Sequence, residues 1–582
     1  MKIRYRAAIV LSFWATPIID SIGLAQTTER VSVDSSGLQS NGASGDFPVV
    51  ISADGRFVAF QSYASNLVAG DTNGLRDVFV HDRQSGATER VSVATGGAQG
   101  ANQSSYPSIS ADGRFVAFRS EAANLVAGDT NGTSDIFVRD RLNATTLRVS
   151  VATGGAQAND YSNYPSISAN GRFVVFDSHA TNLVVGDTNG VGDVFVRDLQ
   201  SGTTELVSID SSGTQANGYS LNDTPSLSAD GRFVTFATSA SNLVAGDMNG
   251  ANDVFMRDRQ NGTTERVSVA TNGAEANDGS GQTVLTADGR FVAFGSAATN
   301  LVAGDTNGFS DVFVHDRQSG TTERVSIGAA GVQAADDCYY PSISADGRCV
   351  AFWTRASNLV AGDTNAIYDV FLRDRLKGTT EVVSLTTGGA WGNKGNGAPA
   401  ITYDGRSVAF RSLSSNLVAG DTNATDDVFV RDRGVLSMNY CTSSTSSSGC
   451  SASIYATVSP SASLATPCNI TVAGVEGQKS GLFFYGTDNS SFTPELWAPG
   501  STSFLCVKPP TQRTAIQNSG GASNACDGSY SLDWNAYQTA NPLALGNPFS
   551  AGDKVYAQVW FRDPLAVKST NLSNAIEMTY VP

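Results

Sequence analysis

A chain of 582 residues is too long for one small core, so more than one domain is expected. Its formal net charge of −16 excludes the basic footprint that nucleic-acid phosphates require. The same charge suits cations, or simply solubility.

Residues 1–25 read as a secretory signal peptide. Lys2, Arg4 and Arg6 give a basic start, Ala7 to Ile19 is mostly apolar, and Gly23-Leu24-Ala25 ends in a small residue before Gln26. That apolar run is too short to span a bilayer, and no later stretch does better, so no membrane span is expected. The mature chain is expected to be a monomer outside the cytoplasm, in the periplasm, at the cell surface or beyond it.

From residue 26 to 434 the chain repeats. An acidic loop of the form NLVAGDTNG begins at Asn66, Asn124, Asn182, Asn242, Asn300, Asn358 and Asn416. Around it stand SADGRFVAF, DVFVRD and TTERVSV. The turn Asp (Asn170 in the third copy) precedes the first loop Asp by 17 in every copy, as in 71−54. The first and last loop Asp are 6 apart, as in 77−71, and the next "VS" Ser follows by 15, as in 92−77. Only the step from that Ser to the next turn Asp varies: it is 22 in two copies (54−32 and 230−208) and 20 in the other five.

RFVAF and DVFV are rich in Val and Phe and apolar on both faces, as strands buried between two layers should be. Asp-Gly between two such runs is a hairpin signal. Each unit therefore reads as four strands: A (YPSIS), B (RFVAF), C (DVFVRD) and D (ERVSV). Seven such units predict an all-β, seven-bladed β-propeller. The first ERVSV, Glu29 to Val33, precedes any A strand, and the seventh unit lacks a D strand. The N-terminal strand is thus expected to close the last blade and hide its edge.

These residues carry a resemblance. "PSISADGRFVAF…DVFVRDR…TTERVS" resembles the TolB-like, WD-type β-propeller repeat over residues 27 to about 434. The family includes periplasmic scaffold proteins, propellers attached to peptidases, and some sugar lyases, so the resemblance implies a fold and leaves function open. Ala, or Tyr403 in the last copy, replaces the family's usual Pro before the turn, and the acidic B–C loop is a further departure. The sugar-lyase members resemble metal enzymes built on histidine groups. Here only His81, His179 and His315 exist, in the first, third and fifth units, and neither G-x-S-x-G nor HExxH occurs. The preferred reading is a non-enzymatic scaffold; the alternative is a glycan-acting hydrolase or lyase using rim carboxylates.

The acidic loop admits two readings. Its oxygen ligands suit calcium: Asp71, Asn73 and Asp77; Asp129, Asn131 and Asp135; Asp187, Asn189 and Asp193; Asp247, Asn249 and Asp253; Asp305, Asn307 and Asp311; Asp363, Asn365 and Asp369; Asp421, Asn423 and Asp427. Equally, Asx turns can hold such a loop with no metal, and this reading is favoured, with no cofactor required. Ala366 and Ala424 replace the loop glycine in the last two copies, which implies that φ > 0 is not required there. The turn Asp54 and its equivalents read as hairpin chemistry, and Arg56 and its equivalents as blade-to-blade pairing or solvated.

In an A-B-C-D blade the D–A and B–C connections share one face. Aromatic and acidic residues gather before strand A: Tyr106; Asp160, Tyr161 and Tyr164; Tyr219 and Asp223; Asp336, Tyr339 and Tyr340; and Trp391. They suit a protein, peptide or glycan ligand. The alternative is that the tyrosines plug the channel.

Residues 435–453 read as a Ser/Thr-rich linker, and 454–582 as a small disulfide-containing β-sandwich. Cys441–Cys450 and Cys506–Cys526 are the simplest pairs by proximity, which leaves Cys468 over. GLFFYG, SFLCVKPPTQR and SLDWNAY resemble a tail module of predicted exported bacterial proteins. In the sixth unit Cys338 is expected opposite Arg355, too far from Cys349 for a disulfide, with Cys349 a buried thiol.

Overall fold

The structure, a computed structural model, describes residues 26–433 apart from 47 and 221–223, and segments of the C-terminal part between 438 and 579. The expected signal peptide, Asp223 and the five cysteines after residue 440 lie outside the described residues. Two compact units are present, one of Gln26–Arg433 and one that includes Gly434–Pro582.

The first unit is a seven-bladed propeller of four-stranded antiparallel sheets. Blade 2 is typical: A is Ser104–Ile109, B is Phe115–Ser120, C is Asp135–Asp140 and D is Thr145–Arg148. Strand B needs apolar residues on both sides because each blade is covered twice. In blade 3, Val174 and Phe176 pack with Ala117, Ile136 and Val138 of blade 2, while Val175 packs with Val234 and Phe236 of blade 4.

Closure is by the N-terminal strand. Thr27–Arg30 pairs antiparallel with strand C of blade 7, Asp427–Asp432, in the register Thr27↔Asp432 to Arg30↔Phe429. Val31, Val428 and Val430 then share a core with Val58 and Phe60 of blade 1. Blades 1 and 4, whose D–A connections carry two extra residues, have inner strands of only two residues, Val50–Ile51 and Ser226–Leu227. Strand A is thus four residues shorter in the two blades whose connections are two residues longer.

Strand A carries a bulge in the other five blades. In blade 2, Ser105 faces Arg119 but Ser108 faces Ala117, so Tyr106 and Pro107 together oppose one residue. Tyr106 there has φ +52°, and Tyr164, Gln282, Tyr340 and Ala398 take the same left-handed backbone. The bulge corrects one expected pairing. Cys338 lies opposite Thr354, one residue short of Arg355. Cys338 and Cys349 are free, as expected, and Cys338 is buried like Cys349.

The second unit is also mainly β. A sheet with strands Thr570–Thr579, Lys554–Arg562 and Ser480–Gly486 and a three-stranded sheet of Ser453–Ala456, Asn469–Val475 and Gly528–Asp533 enclose one core, which includes Ile454, Val472, Phe483 and Val559. A short helix, Trp534–Ala540, was not foreseen; Asp533 caps it by accepting from the Ala536 N–H at 3.0 Å.

Candidate functional site

The acidic loops are junctions between blades. Asn73 Oδ1 accepts from the Leu75 N–H at 2.9 Å, an Asx turn, and its Nδ2 donates to the Gly100 carbonyl of the connection into the next blade at 3.1 Å. Asp77 is fully buried and accepts from Ser92 Oγ at 2.6 Å. Gln99 Nε2 donates to Asp71 at 2.9 Å. The Arg90 guanidinium lies 3.3 Å from both Asp71 and Asp77. Arg30, Arg148, Arg266 and Arg324 repeat this arrangement, so five loops hold an internal cation where a metal would stand.

In blade 4, Asp247, Asp253 and Glu275 bring carboxylate oxygens within 4.8 Å of one another, with Arg266 Nη1 at 3.6, 3.3 and 2.5 Å from them. Blades 3 and 6 differ, because Leu206 and Val382 stand where the arginine would be. There burial, with a second carboxylate close by, raises Asp193 and Asp369 to about 6. The loop residues Ala366 and Ala424 keep φ at +52° and +57°, so the left-handed position is retained without glycine, contrary to expectation.

Two other repeat residues are structural. Asp54 Oδ1 accepts from Ser52 Oγ and the Arg56 N–H, as hairpin chemistry predicts. Arg56 pairs within its own blade, not across blades: it binds Asp82 of strand C in a fork at 2.8 and 2.7 Å. Buried His81 and His315 contact Thr88 and Thr322 at 2.8 and 2.9 Å, in the place from which Arg139 donates to Thr146.

The aromatic residues form three groups, with Tyr340 shared by the first and the third. Tyr106, Tyr164 and Tyr340 line the central channel, a cavity of about 190 Å³ walled by strand A of every blade. Tyr106 and Tyr164 meet edge to face at 4.7 Å, and burial beside Tyr106 raises the Tyr164 phenol. A second group lies on the outer part of the same face. Tyr161 and His179 are 4.5 Å apart, with Tyr219 6.2 Å beyond. Asp160 accepts there from the Tyr161 N–H at 2.7 Å.

The third group centres on Trp353 in strand B of blade 6. Its ring lies 4.6 Å from Tyr368, 5.6 Å from Tyr339 and 6.3 Å from Tyr340. Arg355 covers Tyr368 at 5.1 Å and pairs with Asp336 at 3.3 Å. Tyr339 donates to Asp337 at 3.0 Å, and burial pushes its phenol up to about 12. The indole Nε1 of Trp353 is buried without a hydrogen-bond partner. Trp391 stands apart from all three groups. It takes the place of Gln99, in the same isolated pairing that follows each D strand.

Sequence reasoning missed Trp353, His179 and Asp177, although a signal existed. The fifth residue of strand B is Gln61, Arg119, Asp177, Ala237, Gly295, Trp353 and Arg411 in turn, amid near-constant neighbours. This slot faces the inner strand of the next blade: Gln61 accepts from the Tyr106 N–H at 3.0 Å, and Arg119 donates to Asn163 at 2.7 Å. Asp177 is 1% exposed with Oδ1 unpartnered, and burial raises it to about 7.

No family model matches the chain, and no curated protein matches it in sequence. Solved structures align with the chain at low identity. An oligogalacturonate lyase in complex with manganese aligns at a TM-score of 0.42 with 11% identity, over 71% of this chain and 94% of that one. A putative TolB from Agrobacterium tumefaciens aligns at 0.32 with 16% identity, over 60% and 94%. The β-propeller domain of the Trilobed protease from Pyrococcus furiosus aligns at 0.40 with 12% identity, over 67% and 93%. Among the described residues, no helix is long and apolar enough to cross a membrane.

Proposed function

We propose that the chain is an exported, non-enzymatic scaffold that captures a protein, peptide or glycan on the face carrying the D–A and B–C loops. One observation carries this reading. The positions that vary between otherwise constant blades, in the D–A connections and in the fifth residue of strand B, meet on that face. At blade 6, Tyr339 near the start of strand A and Tyr368 at the end of the B–C loop join Trp353 beside the Asp336–Arg355 pair. Flat aromatic surface flanked by a few fixed charges suits sugar rings and peptide side chains alike. Asp336 is occupied by Arg355, which favours a binding role over acid–base chemistry. The acidic loops serve as metal-free junctions in this reading.

The test is capture of immobilised glycans and peptides by the mature protein. Tyr339→Ala with Tyr368→Ala should leave melting unchanged and weaken capture by about 2 kcal/mol. Unchanged capture would move the site elsewhere. Polysaccharide turnover lost on Asp336→Asn would instead establish the glycan-acting alternative.

A further inference from the structure

The opposite face, formed by the A–B and C–D turns, carries a ring of arginines with one gap. Arg83, Arg141, Arg259, Arg317, Arg375 and Arg433 each follow strand C of their blade. Each donates Nη1 to the carbonyl of the A–B turn glycine in its own blade, as Arg83 does to Gly55 at 2.6 Å and Arg317 to Gly289 at 2.7 Å. Each also pairs with a glutamate in strand D of the preceding blade, as Arg141 does with Glu89 at 2.7 Å. Four of them lie 4.4 to 4.6 Å from the ring centre of the preceding blade's first strand-B residue, Phe57, Phe173, Phe233 or Phe291.

Blade 3 breaks the pattern at both ends of the pair. Leu199 stands where the arginine would be, and Leu147 of blade 2 where its glutamate would be. Leu199 cannot donate to the Gly171 carbonyl or supply the second guanidinium to Phe115, which keeps only that of Arg114, at 4.6 Å. The two leucines do not fill the space. A cavity of about 320 Å³ opens between blades 2 and 3, with Phe115, Val138, Leu147 and Leu199 as apolar wall and with Asp140, already forked by Arg114, and Arg172, held by Asp198, among its polar groups. Leu147 is 55% exposed beside it.

We propose that this cavity takes the guanidinium of an arginine side chain from a partner polypeptide. The same location in six other junctions holds a guanidinium, so the local backbone already presents the right acceptor and, at Phe115, the right aromatic face. A planar, weakly hydrated cation stacks on such a ring while donating at its edge, and its aliphatic stem covers the leucines. The net charge of −16 favours approach of a basic segment. This inference concerns the face opposite the aromatic rim and does not depend on the role proposed for that rim.

The experiment is methyl NMR of the mature protein, following Leu147 and Leu199 during titration with N-acetyl-arginine-N-methylamide and its lysine and leucine counterparts. The arginine probe should give saturable shifts at both residues, with a dissociation constant at least about three-fold below that of lysine. Leu147→Glu, a change at an exposed position, supplies the missing carboxylate and should tighten the arginine probe roughly two- to five-fold, the yield of one partly exposed ion pair. Leu199→Arg should fill the cavity from within and abolish the shifts. Saturation by the leucine probe at equal or lower concentration would overturn the proposal in favour of an apolar pocket. Absence of saturation by the arginine probe, or an unchanged or weaker arginine response in Leu147→Glu, would also overturn it, and neither result depends on how Leu199→Arg folds.

Discussion

Ser32 donates its hydroxyl to Asp427 Oδ1 at 2.5 Å, although 395 residues separate them in the chain. The same bond joins Ser92 to Asp77 within blade 1, where the two are 15 apart. The last blade is therefore built to the same plan as the others from two ends of the propeller. Strand C of blade 7 has a partner on its outer edge only because Thr27–Arg30 returns to it.

Deleting residues 26–34 should expose that edge and remove Val31 from the junction core. The variant is expected to lose cooperative thermal unfolding or to aggregate, as read by calorimetry and size-exclusion chromatography. A monomer with unchanged melting would show that the ring holds without its clasp.

Chelation should have little effect on stability. Arginine already occupies five of the seven acidic loops, so a ligand-linked gain in stability is not expected. EDTA is expected to shift Tm by less than about 1 °C, within the scatter of weak linkage. A fall of several degrees, reversed by calcium, would make the loops metal sites after all.

The loop of blade 3 offers a pH-dependent test of the arginine clasp. Asp193 is raised from its ordinary 3.8 to about 6 by burial, so the native state holds the proton more tightly than the unfolded chain. The stability this provides is complete below pH 3.8 and is lost as pH rises through about 6. Leu206→Arg should supply the missing counter-charge and lower the folded value. The variant should gain on the order of 1 kcal/mol over wild type at about pH 7 and much less near pH 4. Equal gains at both pH values would point to packing instead of charge.

Asp177 should behave similarly, with a higher midpoint. Burial raises it to about 7 against hydrogen bonds from its own and the Asn163 backbone N–H and the Arg119 charge, and Oδ1 has no partner. Its contribution is lost as pH rises through about 7. Asp177→Asn keeps the shape without the charge, so its melting should overtake wild type above that pH, by about 1–2 kcal/mol at pH 8.5. A wild type that stays ahead there would show that the backbone N–H groups and Arg119 outweigh burial for the ionised carboxylate.

Much of the propeller is legible in the sequence. The seven units, their four strands and the closing strand follow from local patterns of apolar residues and turn chemistry. Even the spacing of 15 proves to be a bond, Ser92 to Asp77, repeated in every blade. Such features are local because each blade is one continuous segment, blade 7 excepted.

The tertiary structure decided what faces what within and between blades. A one-residue bulge turns Tyr106, Tyr164 and Tyr340 onto the channel wall and leaves Tyr339 outside it. Arg90 and its counterparts enter the acidic loops, and Trp353 gathers Tyr339 and Tyr368 from separate segments. Leu147 and Leu199 meet at one cavity across the junction of blades 2 and 3. These contacts join residues from separate strands and loops, of one blade or of two, or depend on a register slip. Neither is recorded in the alternation of side chains along a single strand, which sets the faces of a blade but not its neighbours.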